Sequence, residues 1–344
     1  MRRSWAISPS SVTRRYTLPR ASKPFPYMEQ ASSTPPATTT SEPLVSVLMA
    51  ALNHEHFAEA AARSVLDQDY ERLELIAIDD ASDDSTAEVL EQCAVEAPPG
   101  RMRVVRHDRR QGIAETRSHA LRLAGGEFIG LLDSDDLWLP GKLGPQVALL
   151  RDEADVGLVH AEFEAFDNET GETIWWGSRA WDRDGDQLVE LVHQNFIMCG
   201  SVLVRRSAID HRGVGFIEPG YPGYDDYLLW LSIALDWRIE HEDRKVMRYR
   251  RHAANLSNVL VHTANPARAR AGVLELFTTM FPEARDRAGN ELHRTIARHL
   301  IRAAARERSR SNIRALQWTL SAFRQDPSAA FGAFTQTVGE RLTR

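Results

Sequence analysis

The sequence is poor in cysteine, in charge of one dominant sign and in long apolar runs, and each shortage excludes something. Only two cysteines occur in 344 residues, Cys93 and Cys199, far apart and in no CxxC pair. Neither a disulfide framework nor a cysteine zinc site is indicated, and a reducing, cytoplasmic compartment fits. The formal net charge of -6 gives no basic footprint, so nucleic acid is not an expected partner. No stretch approaches the roughly 18 to 20 apolar residues that a membrane span requires; candidates such as Leu44 to Leu52 are strand-sized. No GxGxxG or GxxxxGK[ST] sequence follows any predicted strand. A nucleotide here would have to be held by carboxylates and a metal rather than by a glycine loop.

What is present centres on Glu127 to Trp138, EFIGLLDSDDLW. Phe128, Ile129, Leu131 and Leu132 read as a strand covered on both faces, and Asp133, Asp135 and Asp136 arrive together at its C-terminal end. Open α/β sheets place their ligand crevices at that end of their strands. Three neighbouring carboxylates repel one another unless a cation, N–H donors or water compensates them. A divalent metal would do so; taken alone, the stretch also reads as a polar turn with helix-capping aspartates.

Met1 to Pro43 is rich in Ser, Thr and Pro and is expected to be a disordered tail. Leu44 to Ala50 predicts a buried strand, followed by the polar loop Asn53 to His56 and a helix over Phe57 to Asp67. The histidines of that loop, His54 and His56, read as solvated. A second strand, Leu73 to Ile78, runs into Asp79 and Asp80, and Thr86 to Val95 continues as a helix. Met102 to Val105 predicts a third strand, and Gly112 opens a helix over Ile113 to Ala124. This alternation argues for a mostly parallel, helix-covered sheet of Rossmann-like α/β class, in which right-handed crossovers bring all the strand C-termini to one edge. Further on, Val156 to Phe166 and Thr173 to Trp176 suggest a hairpin with Gly171 in its turn, and Ser201 to Val204 a strand. Asp225 and Asp226 stand at the start of a helix to about Leu235; Trp237 to Ile239 and Val246 to Tyr249 read as closing strands, with His252 just beyond. The expected division is a tail over 1–43, a folded α/β domain over 44–262 and an arginine-rich helical extension over 263–344. The extension reads as packed helices, with a peripheral membrane surface or a second subunit as the alternative.

Val45-Ser46-Val47-Leu48 with Asn53, then Ile78 to Thr86 (IDDASDDST), then Leu132-Asp133-Ser134-Asp135-Asp136, resemble glycosyltransferase family 2 in order, spacing and strand position. The resemblance covers roughly Leu44 to Ser257 and implies the nucleotide-sugar-binding α/β fold called GT-A. It implies that Asn53, Asp79 and Asp80 contact the nucleoside, with Asp80 at the base, and that Arg117 helps hold the nucleotide. Asp133 and Asp135 match the DxD motif, the first near the ribose or sugar and the second a metal ligand. Asp226 matches the general base, and His252 a histidine near the diphosphate or the metal. Lys142 matches a lysine often found after the motif. The chain departs from the usual family residues at Ala50, Leu52, Arg110, Ser118 and Asp225, none of them a proposed ligand or the base.

The chemistry expected from these residues is transfer of a sugar, with inversion, from a nucleotide diphosphate to a hydroxyl. Mn2+ or Mg2+ would stabilise the departing diphosphate, and Asp226 would take the acceptor proton. The Asp225–Asp226 pair is expected to raise one partner's pKa. A UDP-sugar is the expected donor, with dTDP- and GDP-sugars as alternatives; a polysaccharide, glycan or lipid-linked oligosaccharide is the expected acceptor. Two rival readings are a nucleotidyl transferase, which AALNHEHF does not suit as a phosphate loop, and a non-catalytic scaffold on a decayed transferase fold. Trp138, Trp175, Trp176, Trp181 and Trp230 read mainly as packing residues.

Overall fold

The computed structural model describes residues 42–177, 187–221, 223–256 and 265–342. The expected tail up to Ser41, together with Trp181 and Pro222, lies outside the described residues. Strand β1 (Val45–Ala51) runs parallel between β2 (Leu73–Asp79) and β4 (Phe128–Leu131), and β3 (Met102–Arg106) pairs parallel with β2. Helices α1 (Ala58–Leu66), α2 (Thr86–Glu96) and α3 (Ile113–Leu123) make the crossovers. The apolar runs are continuous because both sheet faces are covered, and alternate residues serve opposite cores. Val45, Val47 and Met49 pack with Ala58, Ala62 and Val65 of α1, whereas Leu48 joins Ala120 and Leu121 of α3 on the other side.

Beyond β4 the sheet becomes mixed. β8 (Leu203–Arg205) lies antiparallel to β4 and to β6 (Val156–Asp167), and β9 (Arg238–Arg251) runs parallel to β6. The short β5 (Leu137–Trp138) closes the far edge against β9, and β7 (Thr173–Gly177) forms the expected hairpin with β6, with Gly171 at φ 71° in its turn. The two predicted closing strands are one strand, β9, whose charged middle disguises its continuity. The strand predicted from Ser201 starts at Leu203, because Cys199–Ser201 coil into a 3-10 turn. Three further helices, α4 (Leu143–Asp152), α5 (Gln187–His193) and α6 (Arg206–His211), carried no clear sequence signal.

After its first two residues helix α7 (Asp225–Ile233) is buried all round, Ser232 included, as a helix without a solvent face is. Leu228, Leu229 and Leu231 are fully buried there, each stabilising the fold by about 1.5–3 kcal/mol. Part of the cover comes from α8 (Pro266–Met280), the first of the C-terminal helices, which continue as α9 (Ala284–Ala288), α10 (Asn290–Glu307), α11 (Asn312–Gln325) and α12 (Pro327–Leu342). Leu274 and Phe277 of α8 and Leu300 of α10 belong to the same core as Trp230. Asn265 caps α8 by accepting from the Arg268 N–H, with Pro266 at the first helical position. Among the described residues no helix is long and apolar enough to cross a membrane.

Candidate active site

The C-terminal ends of β1, β2 and β4 meet at one edge, and the loops after them are stitched together by side chains. Asn53 and Ala81, which follow β1 and β2, hold φ of 56° and 58°. Left-handed backbone at an alanine is strained by roughly 1–2 kcal/mol, and here it turns the Ser82 N–H onto Asp79 Oδ2 at 3.1 Å. The Asn53 N–H donates to Ser82 Oγ at 2.9 Å, and Asn53 Oδ1 accepts from the Asp83 N–H at 2.8 Å. Asp79 is wholly buried; its Oδ2 lies 3.5 Å from Arg106 Nε, and its Oδ1 has no partner.

Asp80 is a clamp. Its Oδ1 accepts from the Gln111 N–H at 2.7 Å and lies 2.8 Å from His107 Nδ1; its Oδ2 accepts from the Gly112 N–H at 2.8 Å. Burial works against its charge, but these contacts outweigh it and hold its pKa below the ordinary value. Gly112 sits at φ 89°, a conformation that suits glycine and points its N–H at the carboxylate while opening α3.

The aspartate turn after β4 is anchored on both sides. Asp135 Oδ2 lies 3.0 Å from His252 Nε2, accepts from Asn255 Nδ2 at 3.2 Å, and is 3.9 Å from His54 Nε2. One ligand atom each from His54, Asp135 and His252 falls within 4.8 Å of the others, close enough together to hold a cation. Burial opposes the Asp135 charge, yet the two imidazoles keep its pKa below the ordinary value. Burial also lowers the pKa of His54, favouring the neutral ring that a metal requires. Ser134 fixes that ring, with Oγ 2.8 Å from Nδ1. Asp136 faces inward instead. It accepts from the Arg250 N–H at 2.8 Å, while burial and the charges of Asp135 and Asp133 push its pKa well up. Arg250 in turn donates Nε to the Asp135 carbonyl at 2.8 Å and lies between the rings of Phe57 and Phe166.

Arg117 joins this turn to α7. Its side chain is almost wholly buried and donates to Asp133 Oδ1 at 2.7 Å and to Asp225 Oδ2 at 3.0 Å. Asp225 is fully buried, with its other oxygen unpartnered, whereas the neighbouring Asp226 is half-buried. The twin carboxylates therefore have different environments. Burial and then the charge of Asp225 raise the pKa of Asp226 to about 7, which suits a group that must take a proton near neutrality. Glu218, on the loop before α7, is also raised to about 7 by burial and by Asp225.

The structure thus brings Arg117, Asp133 and Asp226 to one side of the edge, Asp135 and His252 to the centre, and Asn53, Asp79 and Asp80 to the other. Lys142 does not join them. It is fully buried and donates Nζ to Gln146 Oε1 and to the carbonyls of Ser201 and Val202, so it ties α4 to the turn before β8. His54, read from sequence as solvated, is instead at the centre; His56 is exposed. Asn255, Arg250 and Glu218 were also unforeseen. Only the order of residues at the end of the closing strand, RRHAAN, hinted at a second polar group beside His252. Trp138 and Trp230 are buried as packing residues, and Trp138 Nε1 donates to the Gly200 carbonyl at 2.8 Å.

A parallel sheet delivering carboxylates to one edge, continued by mixed strands and C-terminal helices, defines a GT-A-type glycosyltransferase. The chain belongs to glycosyltransferase family 2 through residues 46–213, which match the family model Glycosyl transferase family 2. The chain is similar to the UDP-Glc:alpha-D-GlcNAc-diphosphoundecaprenol beta-1,3-glucosyltransferase WfgD of Escherichia coli. The two are 29% identical over 195 residues, covering 56% of this chain and 70% of that protein. Its fold is similar to that of S. aureus TarS 1-349 in complex with UDP-GlcNAc, with TM-score 0.60, 18% identity, and 87% and 82% of the two chains covered. It is also similar in fold to the mannosyltransferase PcManGT of Pyrobaculum calidifontis in complex with GDP-Man and Mn2+, with TM-score 0.55, 20% identity and 88% of each chain covered.

Proposed function

We propose that this enzyme moves a sugar, with inversion, from a UDP-sugar to a hydroxyl of a lipid-linked or growing polysaccharide acceptor. In this reading residues 44–262 are the transferase domain and 263–344 its helical extension. The observation that carries it is the Arg117 bridge, which ties Asp133 of the donor-side turn to Asp225, the immediate neighbour of a carboxylate with a raised pKa. Donor and acceptor machinery are thereby held in one frame. The names of the relatives support the substrate classes: UDP-Glc and a diphosphoundecaprenol-linked acceptor for WfgD, UDP-GlcNAc for the TarS complex.

The residues present fit a divalent ion. His54, Asp135 and His252 would hold it, and when bound it supplies Lewis-acid stabilisation of the charge that builds on the leaving diphosphate. Two imidazoles and one carboxylate favour Mn2+ over Mg2+, which prefers oxygen ligands. Asn53, Asp79 and Asp80 would form the nucleoside side, with the buried Asp79 bracing the turn at Ser82 and Asp80 presenting the ordered loop before α3. Arg117 would orient Asp133 toward the ribose or sugar. Asp226 accepts the proton of the acceptor hydroxyl as its oxygen bonds to C1. The C1–O bond to the diphosphate breaks on the opposite side, and its electron pair leaves with the phosphate, so configuration inverts.

The test separates binding from chemistry. In Asp226→Asn, calorimetric UDP binding with Mn2+ should persist while transfer falls by about 10²- to 10⁴-fold. In Asp135→Ala the metal-dependent part of UDP binding should disappear. Transfer at the wild-type rate by Asp226→Asn would remove Asp226 from the role.

A further inference from the structure

Helices α11 and α12 have their side chains arranged the wrong way round for a water-facing surface. On α11 the buried positions are alanines, Ala315 and Ala322, while Ile313, Leu316, Leu320 and Phe323 point outward. At 3.6 residues per turn these four fall within roughly a quarter of the helix circumference. Ile313 and Leu316 are 72% and 60% exposed. On α12 the small Ala330 is buried while Phe331 and Phe334 stand out. Leu316 and Phe334 also line a groove of about 520 Å³ between α10, α11 and α12, together with Ile301, Ala304 and Arg308. An apolar stripe of this extent, continuous with a groove, marks an interaction surface.

Its surroundings are cationic. Residues 298–337 contain seven arginines and two acids, although the whole chain carries a net charge of -6. Both acids are already engaged: the buried Glu307 pairs with Arg314 at 2.6 Å, and Asp326 lies 3.7 Å from Arg294. Arg308, Arg310 and Arg324 are exposed and, among the described residues, form no ion pair. Arg324 and Gln317 flank the apolar stripe of α11. A helix pair with large apolar side chains on one strip and unneutralised arginines beside it matches the boundary between headgroups and acyl chains of an anionic bilayer.

We propose that the exposed face of α11 and α12 docks on the surface of an anionic phospholipid bilayer, with Leu316, Leu320, Phe323 and Phe334 entering the acyl boundary and Arg308, Arg310 and Arg324 meeting phosphates. No part of this inference depends on the sugar-transfer chemistry, and neither fails with the other.

The experiment is co-sedimentation of the full chain with vesicles of phosphatidylcholine alone and of phosphatidylcholine mixed with phosphatidylglycerol. The expected result is binding to the mixed vesicles that weakens with added salt, and little binding to phosphatidylcholine alone. Arg308→Gln/Arg310→Gln should lower the partition coefficient by about 25-fold, at about fivefold per arginine near an anionic surface. Leu320→Ser/Phe323→Ser should lower it at least tenfold, and Val95→Ser, an exposed apolar residue of α2, should leave it unchanged. Circular dichroism and thermal melting establish that each variant is folded. The proposal is overturned if folded wild type stays in the supernatant with mixed vesicles, or if both double variants sediment like wild type. It is equally overturned if the face instead drives a vesicle-independent dimer, seen by sedimentation velocity and abolished by Leu320→Ser/Phe323→Ser.

Discussion

Replacing Arg117 by methionine is the perturbation whose size follows most directly from the structure. Arg117 is 4% exposed and its guanidinium holds two carboxylates, but the two contacts are unequal. Asp133 has 36% of its side chain open to water, which can replace the lost donor. Asp225 is fully buried, with one oxygen already unpartnered, so methionine leaves an uncompensated charge in the interior. Removing one member of a buried pair costs about 3–5 kcal/mol, which for a domain of this size lowers the melting temperature by roughly 10 °C. Asp225→Asn alone should cost less, because Arg117 keeps Asp133. The double variant Arg117→Met/Asp225→Asn should recover more than half of the single-variant loss, a coupling of about 2 kcal/mol or more. Urea denaturation followed by tryptophan fluorescence measures all four corners of this cycle. A loss below about 1 kcal/mol for Arg117→Met, or no recovery in the double variant, would refute the assignment of Arg117 as the tie between the aspartate turn and α7.

Three further outcomes are expected. With Asp226 as the proposed base, working when deprotonated, and its pKa raised to about 7 by burial and Asp225, transfer should rise with pH through about 7; Asp225→Asn should move that limb to lower pH in a pH–rate profile. His54→Ala should weaken Mn2+ binding by at least about tenfold in calorimetry or electron paramagnetic resonance titration and reduce the preference for Mn2+ over Mg2+; an unchanged Mn2+ affinity would take His54 out of the cation site. Burial lowers the Lys142 pKa to about 7, so above that pH the unfolded chain binds more protons than the folded one. Stability of the wild type relative to Lys142→Met should therefore rise by up to about 1.4 kcal/mol per pH unit from about 7 toward 10, and a flat difference between the two urea series would contradict this.

What could be read from the sequence was whatever local pattern determines. β1, β2 and β4 announce themselves because strands buried on both faces need unbroken apolar runs, and Asp79, Asp80, Asp133 and Asp135 because they end those runs. β9 did not, since an edge-side strand with many half-exposed positions tolerates RIEHEDRKVMRYRR and loses its alternation. His54 was missed for a different reason. Its meeting with Asp135 is made by the pairing of β1 with β4, across some eighty residues of chain that no local pattern reports. The unequal fates of Asp225 and Asp226 were likewise hidden, because two adjacent identical residues differ only in which one the buried Arg117 reaches. Lys142 shows the converse: a residue matching a family position can spend its charge on carbonyls in the core.

The absence of a solvent face on α7 bears on how the protein comes into being. Asp79, Asp80, Asp133 and Asp135 lie in the first 135 residues, at the ends of β2 and β4, which both flank β1. The helix that carries Asp226 is different, because its far side is covered by Leu274 and Phe277 of α8 and by Leu300 of α10. While the chain is still being made, α5 and α6 can pack on that helix early, but the face toward α8 and α10 stays open until synthesis has passed them. A ribosome-bound chain would thus order its Asp79–Asp80 edge first, and only later gain both the His252 member of the cation cluster and a fixed Asp226.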